Sequence, residues 1–198
     1  MYKPNRATTA GYLILIGSTQ FILFMNIAEF LYPNYSVRDN YISDLGVDPS
    51  SALIFNLSII AFGLLVISAF YILREIWYYP LGIIMGTGLC CVGLFPEYTG
   101  ILHDLSAFIV FLLGGLGAII TGLPSLFGIK NYPGNLNILW IILGILSIIS
   151  LIFFTLGFIT SNDAYYLGLG KGGIERLIAY PELVWAISFS STLINNKN

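Results

Sequence analysis

Six long apolar runs constrain the fold of this chain more than any other feature of its sequence. A helix needs about 20 mostly apolar residues to cross about 30 Å of hydrocarbon. Runs of roughly that kind lie between charges and turn signals at 9–32, 51–73, 79–94, 103–128, 136–160 and 173–194. Because they are continuously apolar, they favour helices over the alternating strands of a membrane barrel. We therefore predict an all-α, polytopic membrane protein whose residues 1–198 form one six-transmembrane-helix antiparallel bundle.

Composition supports a membrane protein and excludes a nucleic-acid-binding one. Hydrophobic residues make up 57% of the chain and charged residues only 9%, whereas soluble domains carry roughly 25% charged residues. The 8 Lys and Arg residues are scattered, and the net charge is -2. Since nucleic-acid binding depends on clustered positive charge, we expect membrane lipids and membrane proteins as partners. The predicted location is the cell membrane, with several passes.

The basic residues also predict an orientation, because Lys and Arg concentrate in cytoplasmic loops. With the N and C termini cytoplasmic, the inner side holds the larger share of the basic residues, namely Lys3, Arg6, Arg74, Lys130 and Lys197. Every acidic residue except Glu75 then falls outside or in the outer half of the membrane. The longer outer connections, 33–50, 95–102 and 161–172, are predicted to form an extracytoplasmic loop cap over the bundle.

One candidate site lies where the third run ends and the fourth begins. Glu97 follows the third run, and His103, the single histidine, opens the fourth. A short turn would bring a carboxylate to the imidazole, an arrangement that suits general acid–base chemistry. A Cys/His zinc site lacks its ligands. We therefore expect neither a metal nor a cofactor, and we treat Glu97 and His103 as candidate catalytic residues.

A second candidate site lies at the start of the sixth run. Glu175 and Glu182 are seven residues apart and share a helix face. At about 1.5 Å per residue, Glu182 lies on the order of 13 Å below Gly173, where a carboxylate must be protonated, paired or hydrated. Arg176 is the natural partner for an outer-face carboxylate. Glu182 is therefore a third candidate catalytic residue, with a purely structural ion pair as the alternative for this stretch.

Two further acidic residues complete the predicted outer site. Glu29 lies in the last turn of the first run, where a carboxylate either faces the bundle or snorkels to the interface. Asp44 lies in the following loop, before Leu45 and Gly46. The predicted ligand-binding residues are therefore Glu29, Asp44, Glu97, His103, Glu175, Arg176 and Glu182.

Small residues with a four-residue spacing predict close helix packing within the membrane. Gly82 and Gly86 have this spacing in the third run, and Gly114 and Ala118 have it in the fourth. We expect all four residues to serve packing rather than ligand binding.

Several motifs of this chain resemble those of one known family. They are Tyr32-Pro33, Tyr35-Ser36, Asn40 to Gly46, Phe95-Pro-Glu97, His103, and Gly173 to Leu177 with Tyr180-Pro181. The chain resembles the uncharacterised six-span prokaryotic membrane proteins catalogued as domain of unknown function 998, over nearly its whole length. The resemblance implies a six-helix bundle in a prokaryotic plasma membrane. It implies no catalytic residue, because that family has no established activity.

Three functions of different classes remain open. In the first, which we favour, an acidic outer pocket binds a lipid headgroup or a small polar ligand, with Arg176 contacting an anionic group and Glu29, Glu97 and Glu182 shaping the cavity. In the second, the same carboxylates perform intramembrane acid–base chemistry or form an ion or proton pathway. In the third, the protein is a structural or assembly subunit of a membrane complex.

Overall fold

The computed structural model describes residues 4–123 and 138–195, and its regular structure over these residues is helical. The six long helices are α1 (Pro4–Leu31), α2 (Ala52–Ile72), α3 (Tyr79–Leu94), α4 (Ile101–Gly122), α5 (Ile138–Thr160) and α6 (Gly170–Asn195). Single 3-10 turns lie in the connections, at Ser43–Gly46, Glu97–Thr99 and Asp163–Tyr166. The all-α, six-helix prediction is confirmed.

The helices match the apolar runs closely, since burial in lipid requires every backbone group to be paired within a helix. Five of the described helices are long and apolar enough to cross a membrane, and α3, with 16 residues, is shorter. The predicted end of the fourth run at Gly128, the start of the fifth at Leu136, and Lys130 between them lie outside the described residues. So do Lys3 and Lys197.

The helices form a closed ring in which each packs against the next along the chain and α6 packs against α1. Helix α4 also contacts α6 across the ring. We call the end of the bundle with Leu31, Leu94 and Thr160 the outer end. At the opposite end, the Arg6 guanidinium lies 2.8 Å from the Glu75 carboxylate, so the start of α1 is joined to the segment after α2. Consecutive helices are therefore antiparallel.

Glycine residues set the distance between neighbouring helices. A Cβ atom added at Gly63 of α2 would lie 2.6 Å from the Gly86 carbonyl oxygen of α3, and one at Gly82 would overlap the Phe70 ring. The predicted packing role of Gly82 and Gly86 is confirmed. Gly114 differs, because the nearest atoms to its missing Cβ belong to the Glu182 carboxylate. The absence of a side chain at Gly114 makes room for the Glu182 carboxyl group rather than for a neighbouring helix.

The segment 32–51, which we call the outer loop, folds back onto the outer ends of the helices. The backbone N–H of Gly172 in α6 donates to the Arg38 carbonyl at 3.0 Å. The Ser51 hydroxyl donates to the Leu45 carbonyl at 2.8 Å, and the Asn56 side chain donates to the Gly46 carbonyl at 2.9 Å. The outer loop is thereby tied to both α2 and α6, and it brings its own polar side chains over the centre of the bundle.

Candidate functional site

Two adjoining cavities lie in the outer half of the bundle. The first, which we call the lateral groove, has a volume of about 310 Å³ and runs between α4 and α5. The second, which we call the central chamber, has a volume of about 90 Å³ and lies among the helices. The residues that line both cavities are Ser43, Ala107, His103, Phe111 and Glu175. These shared residues mark the junction between the two.

The lateral groove combines apolar walls with a polar outer end. Phe108 of α4 and Phe158 of α5 are among its lining side chains, and they are 42% and 52% exposed. The groove is therefore accessible from the lipid-facing side of the bundle. Glu97, Asp104 and Tyr41 also line it. A molecule lying in this groove would contact hydrocarbon surface along most of its length and ionisable groups at one end.

The central chamber is largely apolar and carries three ionisable side chains, His103, Glu175 and Glu182. The shared helix face predicted for the two glutamates is confirmed, since both line this chamber. Trp185 lines the chamber as well as a smaller cavity of about 20 Å³ further towards the inner end. The indole ring therefore separates the chamber from that smaller cavity.

His103 is buried, and its orientation is defined by a backbone carbonyl. Its Nδ1 atom lies 2.8 Å from the Phe95 carbonyl oxygen. Because a carbonyl oxygen only accepts, Nδ1 carries the hydrogen, and in the neutral ring Nε2 keeps its lone pair. Gly100, with φ of 64°, turns the chain between Phe95 and α4 in a conformation that glycine adopts readily. The carboxylate predicted as the imidazole partner is replaced here by the Phe95 carbonyl.

Glu175 holds the outer loop against α6. It is 5% exposed, and its Oε2 atom accepts a hydrogen bond of 2.5 Å from the Ile42 backbone N–H. These two residues are 133 positions apart in the chain. The Glu175 carboxyl lines both cavities, so the residue that anchors the outer loop also borders the candidate site.

Asp44 and Glu97 form a carboxyl pair at the outer end of the groove. Asp44 Oδ2 accepts hydrogen bonds of 2.9 Å from the Asn40 side chain and from the Tyr41 backbone N–H. Burial raises the pKa of Glu97 to about 8, with the hydrogen bond and the charge of Asp44 acting in the same direction and Lys171 opposing them. A carboxyl with that pKa is mostly protonated at neutral pH, so Glu97 can donate a hydrogen bond there.

The raised pKa of Glu97 predicts a pH dependence of stability. The folded protein binds this proton more tightly than the unfolded chain, whose pKa is near the ordinary value of 4.5. The stability that Glu97 contributes is therefore complete below pH 4.5 and falls as the pH rises to about 8. We expect the unfolding temperature in detergent to fall across this range, and to fall less in Glu97→Gln. The exposed Asp163→Asn is the control, and an equal slope in Glu97→Gln and the wild type would contradict the assignment.

A separate group, which we call the arginine clamp, is formed by Arg176, Glu29 and Tyr35. Arg176 is 4% exposed. One Nη atom donates at 2.6 Å to both Glu29 and the Tyr35 hydroxyl, and the other donates to the Val37, Asn40 and Gly172 carbonyls. Neither Arg176 nor Glu29 lines the groove or the chamber. The arrangement joins α1, the outer loop and α6, as the structural alternative for this stretch predicted.

Glu182 lies deeper in the bundle, about 18 Å along α6 from Gly170 at about 1.5 Å per residue. Its Oε1 atom accepts a hydrogen bond of 2.6 Å from the Ser147 hydroxyl of α5, and its carboxyl also accepts one from the Gly115 N–H of α4. Within the described ranges, no Lys or Arg forms an ion pair with it. Glu182 therefore borders the chamber as a hydrogen-bonded carboxyl without a cation.

The structure sorts the predicted site residues into two sets and adds others. Glu97, His103, Glu175 and Glu182 line the cavities, Asp44 bonds to Glu97, and Glu29 and Arg176 form the clamp. The sequence reading missed Ser43 and Tyr41, which line the groove, and Ser147, which bonds to Glu182. Ser43 and Tyr41 lie inside the motif Asn40 to Gly46, so a signal for them was present. No three His, Cys, Asp or Glu side chains within 4–123 and 138–195 could together hold a metal ion.

Comparison with known proteins gives one match. A family model with the description "Protein of unknown function (DUF998)" matches residues 15–192. No curated protein and no solved structure matches the chain.

Proposed function

We propose that this integral membrane protein, which belongs to the DUF998 family of proteins of unknown function, binds an amphipathic molecule in the lateral groove. The observation that carries the proposal is the groove itself, in which apolar walls open to lipid end at a group of ionisable side chains. The ligand class is a membrane lipid or a small lipid-like molecule with a polar head. In line with the family resemblance, we assign the protein to a prokaryotic plasma membrane.

The size and lining of the groove support a ligand of this class. A volume of about 310 Å³ lies at the lower end of the roughly 300–1,000 Å³ typical of ligand cavities. The apolar walls come from two helices whose exposed side chains already face hydrocarbon. A chain that leaves the bilayer for the groove therefore loses no apolar contact. Its polar head gains hydrogen-bonding partners that the bilayer core does not offer.

Charge defines the head of the ligand more closely. Glu97, Asp104 and Glu175 line the outer part of the groove, and the ionised carboxylates among them repel a head that carries a net negative charge. The Arg176 guanidinium, which we expected to contact an anionic group, donates from both Nη atoms to protein oxygens. We therefore assign ligand recognition to the carboxyl groups and a stabilising role to Arg176. A head that has no net negative charge and offers an amine as a donor fits best.

The central chamber ends within the bundle, which favours a binding site over a continuous ion pathway. The chamber begins at the junction with the groove and reaches Trp185, whose ring is stacked on Phe189 with their centroids 5.7 Å apart. Trp185 Nε1 also donates to the Thr121 hydroxyl at 2.8 Å. The ring is thus held in place at the inner limit of the chamber.

Blocking the groove is expected to remove bound lipid without unfolding the protein. Thr155 of α5 lines the groove, so Thr155→Trp would fill part of it. The matched control is Ile152→Trp on the same helix, since Ile152 is 54% exposed and lines neither cavity. We expect native mass spectrometry of Thr155→Trp to show a loss of retained phosphatidylethanolamine of about tenfold or more, which corresponds to about 1.4 kcal/mol of binding free energy, and little loss in the control.

The choice of lipid tests the charge argument in the same experiment. Phosphatidylglycerol has the same chains and lacks the amine, so we expect the wild type to retain less of it than of phosphatidylethanolamine. Equal retention by both tryptophan variants would overturn the groove as the site. If the wild type retains neither lipid, the structural-subunit alternative is favoured.

A further inference from the structure

Another cavity, which we call the inner cavity, lies at the inner end of the bundle. It has a volume of about 350 Å³ and is bordered by the first turns of α1 and by the end of α2 with the residues after it. Its lining residues are Asn5, Arg6, Thr9, Tyr71, Ile72 and Arg74. None of these residues lines the lateral groove or the central chamber. The inner cavity is therefore separate from the outer site, and it carries two guanidinium groups.

The two arginines of the inner cavity keep hydrogen-bond donors that the protein does not use. Arg6 Nη1 donates to the Glu75 carboxylate at 2.8 Å, and these side chains are 38% and 39% exposed. Arg74 is exposed, and its guanidinium lies over the Tyr71 ring, 5.3 Å from the ring centroid. Among residues 4–123 and 138–195, no carboxylate forms an ion pair with Arg74. Because a guanidinium has five N–H donors, both arginines can donate to a ligand, and the charge of Arg74 is not neutralised by a partner in this part of the chain.

Aromatic side chains place the inner cavity at the headgroup level of the membrane. Trp77 and Tyr71 are 70% and 61% exposed, and Trp and Tyr are enriched where a bilayer meets water. Arg74 lies between them in the chain, just after α2 ends at Ile72. The part of α2 that crosses hydrocarbon therefore ends at the inner cavity, where the phosphate groups of the lipids lie.

Exposed helix faces continue from the inner cavity towards the hydrocarbon. On α1 and α2 the exposed residues of these faces are Thr9, Tyr12 and Ile16, and Tyr71, Ser68 and Leu64. Spacings of three and four residues put each set on one side of its helix, and both sets begin at a residue that lines the inner cavity. A lipid with its head in the inner cavity would lay its acyl chains along these faces.

We propose that the inner cavity binds the phosphate groups of an anionic membrane lipid, with Arg6 and Arg74 as the phosphate contacts. Guanidinium groups match phosphate oxygens with paired, charge-assisted hydrogen bonds. Basic pockets between helices at a membrane surface bind phosphate-bearing lipid heads in this way. Asn5 also lines the inner cavity and adds an amide donor. The lipid differs from the ligand of the lateral groove, whose carboxyl groups favour a head without net negative charge.

Two cationic groups on different elements favour a head with two phosphate groups. Arg6 belongs to α1, whereas Arg74 follows α2, so the two guanidinium groups approach the inner cavity from different helices. Cardiolipin carries two phosphates on one glycerol and offers anionic oxygens to both arginines. Phosphatidylglycerol carries one phosphate and offers fewer oxygens and less charge. We therefore expect cardiolipin to bind more tightly than phosphatidylglycerol.

Native mass spectrometry of the full chain in detergent, titrated with cardiolipin, tests the proposal. We expect the affinity for cardiolipin to fall by about fivefold to tenfold in Arg74→Gln and in Arg6→Gln. Arg74→Lys keeps the charge but loses the planar fork, so its affinity should be intermediate. The matched control is Arg38→Gln, because Arg38 is also exposed but lies in the outer loop, and it should bind cardiolipin as the wild type does.

The source of the phosphate is tested by competition with inorganic phosphate. Inorganic phosphate shares the phosphate chemistry but has no acyl chains, so at equal concentration it should displace little cardiolipin. If it displaces cardiolipin completely, the inner cavity is a site for free phosphate, and the lipid assignment is overturned.

The remaining outcomes decide whether the inner cavity is the site. Thr155→Trp fills part of the lateral groove and should leave cardiolipin bound. A loss of cardiolipin in Thr155→Trp would place this lipid in the groove and overturn the proposal. Equal affinities of the wild type and Arg74→Gln, or no cardiolipin on the wild type, would also overturn it. Because retention of phosphatidylethanolamine in the groove depends on Thr155 and not on Arg74, the two proposals can fail independently.

Discussion

Arg176→Ala is expected to lower the free energy of unfolding by roughly 3–5 kcal/mol, the usual effect of removing one partner of a buried ion pair. The substitution leaves the Glu29 carboxylate, whose side chain is 18% exposed, without its cation. It also removes the donors to the Tyr35 hydroxyl and to three backbone carbonyls. Denaturant or thermal unfolding of the protein in detergent measures the change.

Two variants make the measurement specific to the arginine clamp. Arg38→Ala is the matched control, because Arg38 is 69% exposed and lies 3.9 Å from Asp39, and exposed pairs contribute only about 0–1 kcal/mol. Arg176→Met combined with Glu29→Gln removes both charges, so we expect it to recover part of the loss. If Arg176→Ala is as stable as Arg38→Ala but no longer retains lipid, the guanidinium binds a ligand and our structural assignment is wrong.

Gly114→Ala is expected to destabilise the bundle by roughly 1–3 kcal/mol, the usual effect of overpacking a core. The added Cβ would overlap the Glu182 carboxylate of α6, which is held by Ser147 at 2.6 Å. An alanine in a helix interior is otherwise about 1 kcal/mol more favourable than a glycine. A net loss of stability would therefore show that the overlap with Glu182 outweighs this gain. Unfolding of the purified protein in detergent gives both the sign and the size.

The double variant Gly114→Ala with Glu182→Ala tests the contact directly. If the overlap causes the loss, removing the carboxylate should abolish it, and the two changes together should cost less than the sum of each alone. Coupling of about 0.5–3 kcal/mol is typical of residues in contact. Additive losses would mean that the alanine at position 114 destabilises the protein through a contact with a residue other than Glu182. The space at Gly114 would then not determine the position of the Glu182 carboxyl.

The helices could be predicted from the sequence because the membrane imposes a local requirement. Each span must satisfy its own backbone and present apolar side chains over about 20 residues, and this pattern is visible in one segment at a time. The bounds of α3 agree with its run, whereas α1 begins at Pro4 and α6 at Gly170, before their runs. In α1 the extra turn carries Arg6, whose pair with Glu75 compensates for its charge.

The ion pair between Arg176 and Glu29 was not predictable in the same way. Charge placement indicated the outer half of the bundle, and helix periodicity placed Glu175 and Glu182 on one face. Which carboxylate would meet Arg176 depended on the outer loop. The sequence analysis offered Glu97 and Glu182 as cavity groups together with Glu29, and the structure separates Glu29 from them.

The sequence by itself therefore determined the membrane class, the number of helices, the candidate acidic end and the depth of Glu182. Those properties follow from residue composition and from the rise and period of a helix. Only the tertiary structure decided that Glu29 and Arg176, 147 residues apart, close a clamp, that Phe95 orients His103, and that Ser43 lies at the junction of two cavities. These contacts depend on how the outer loop packs against α6, and that packing arises from the summed contacts of many residues rather than from any local pattern.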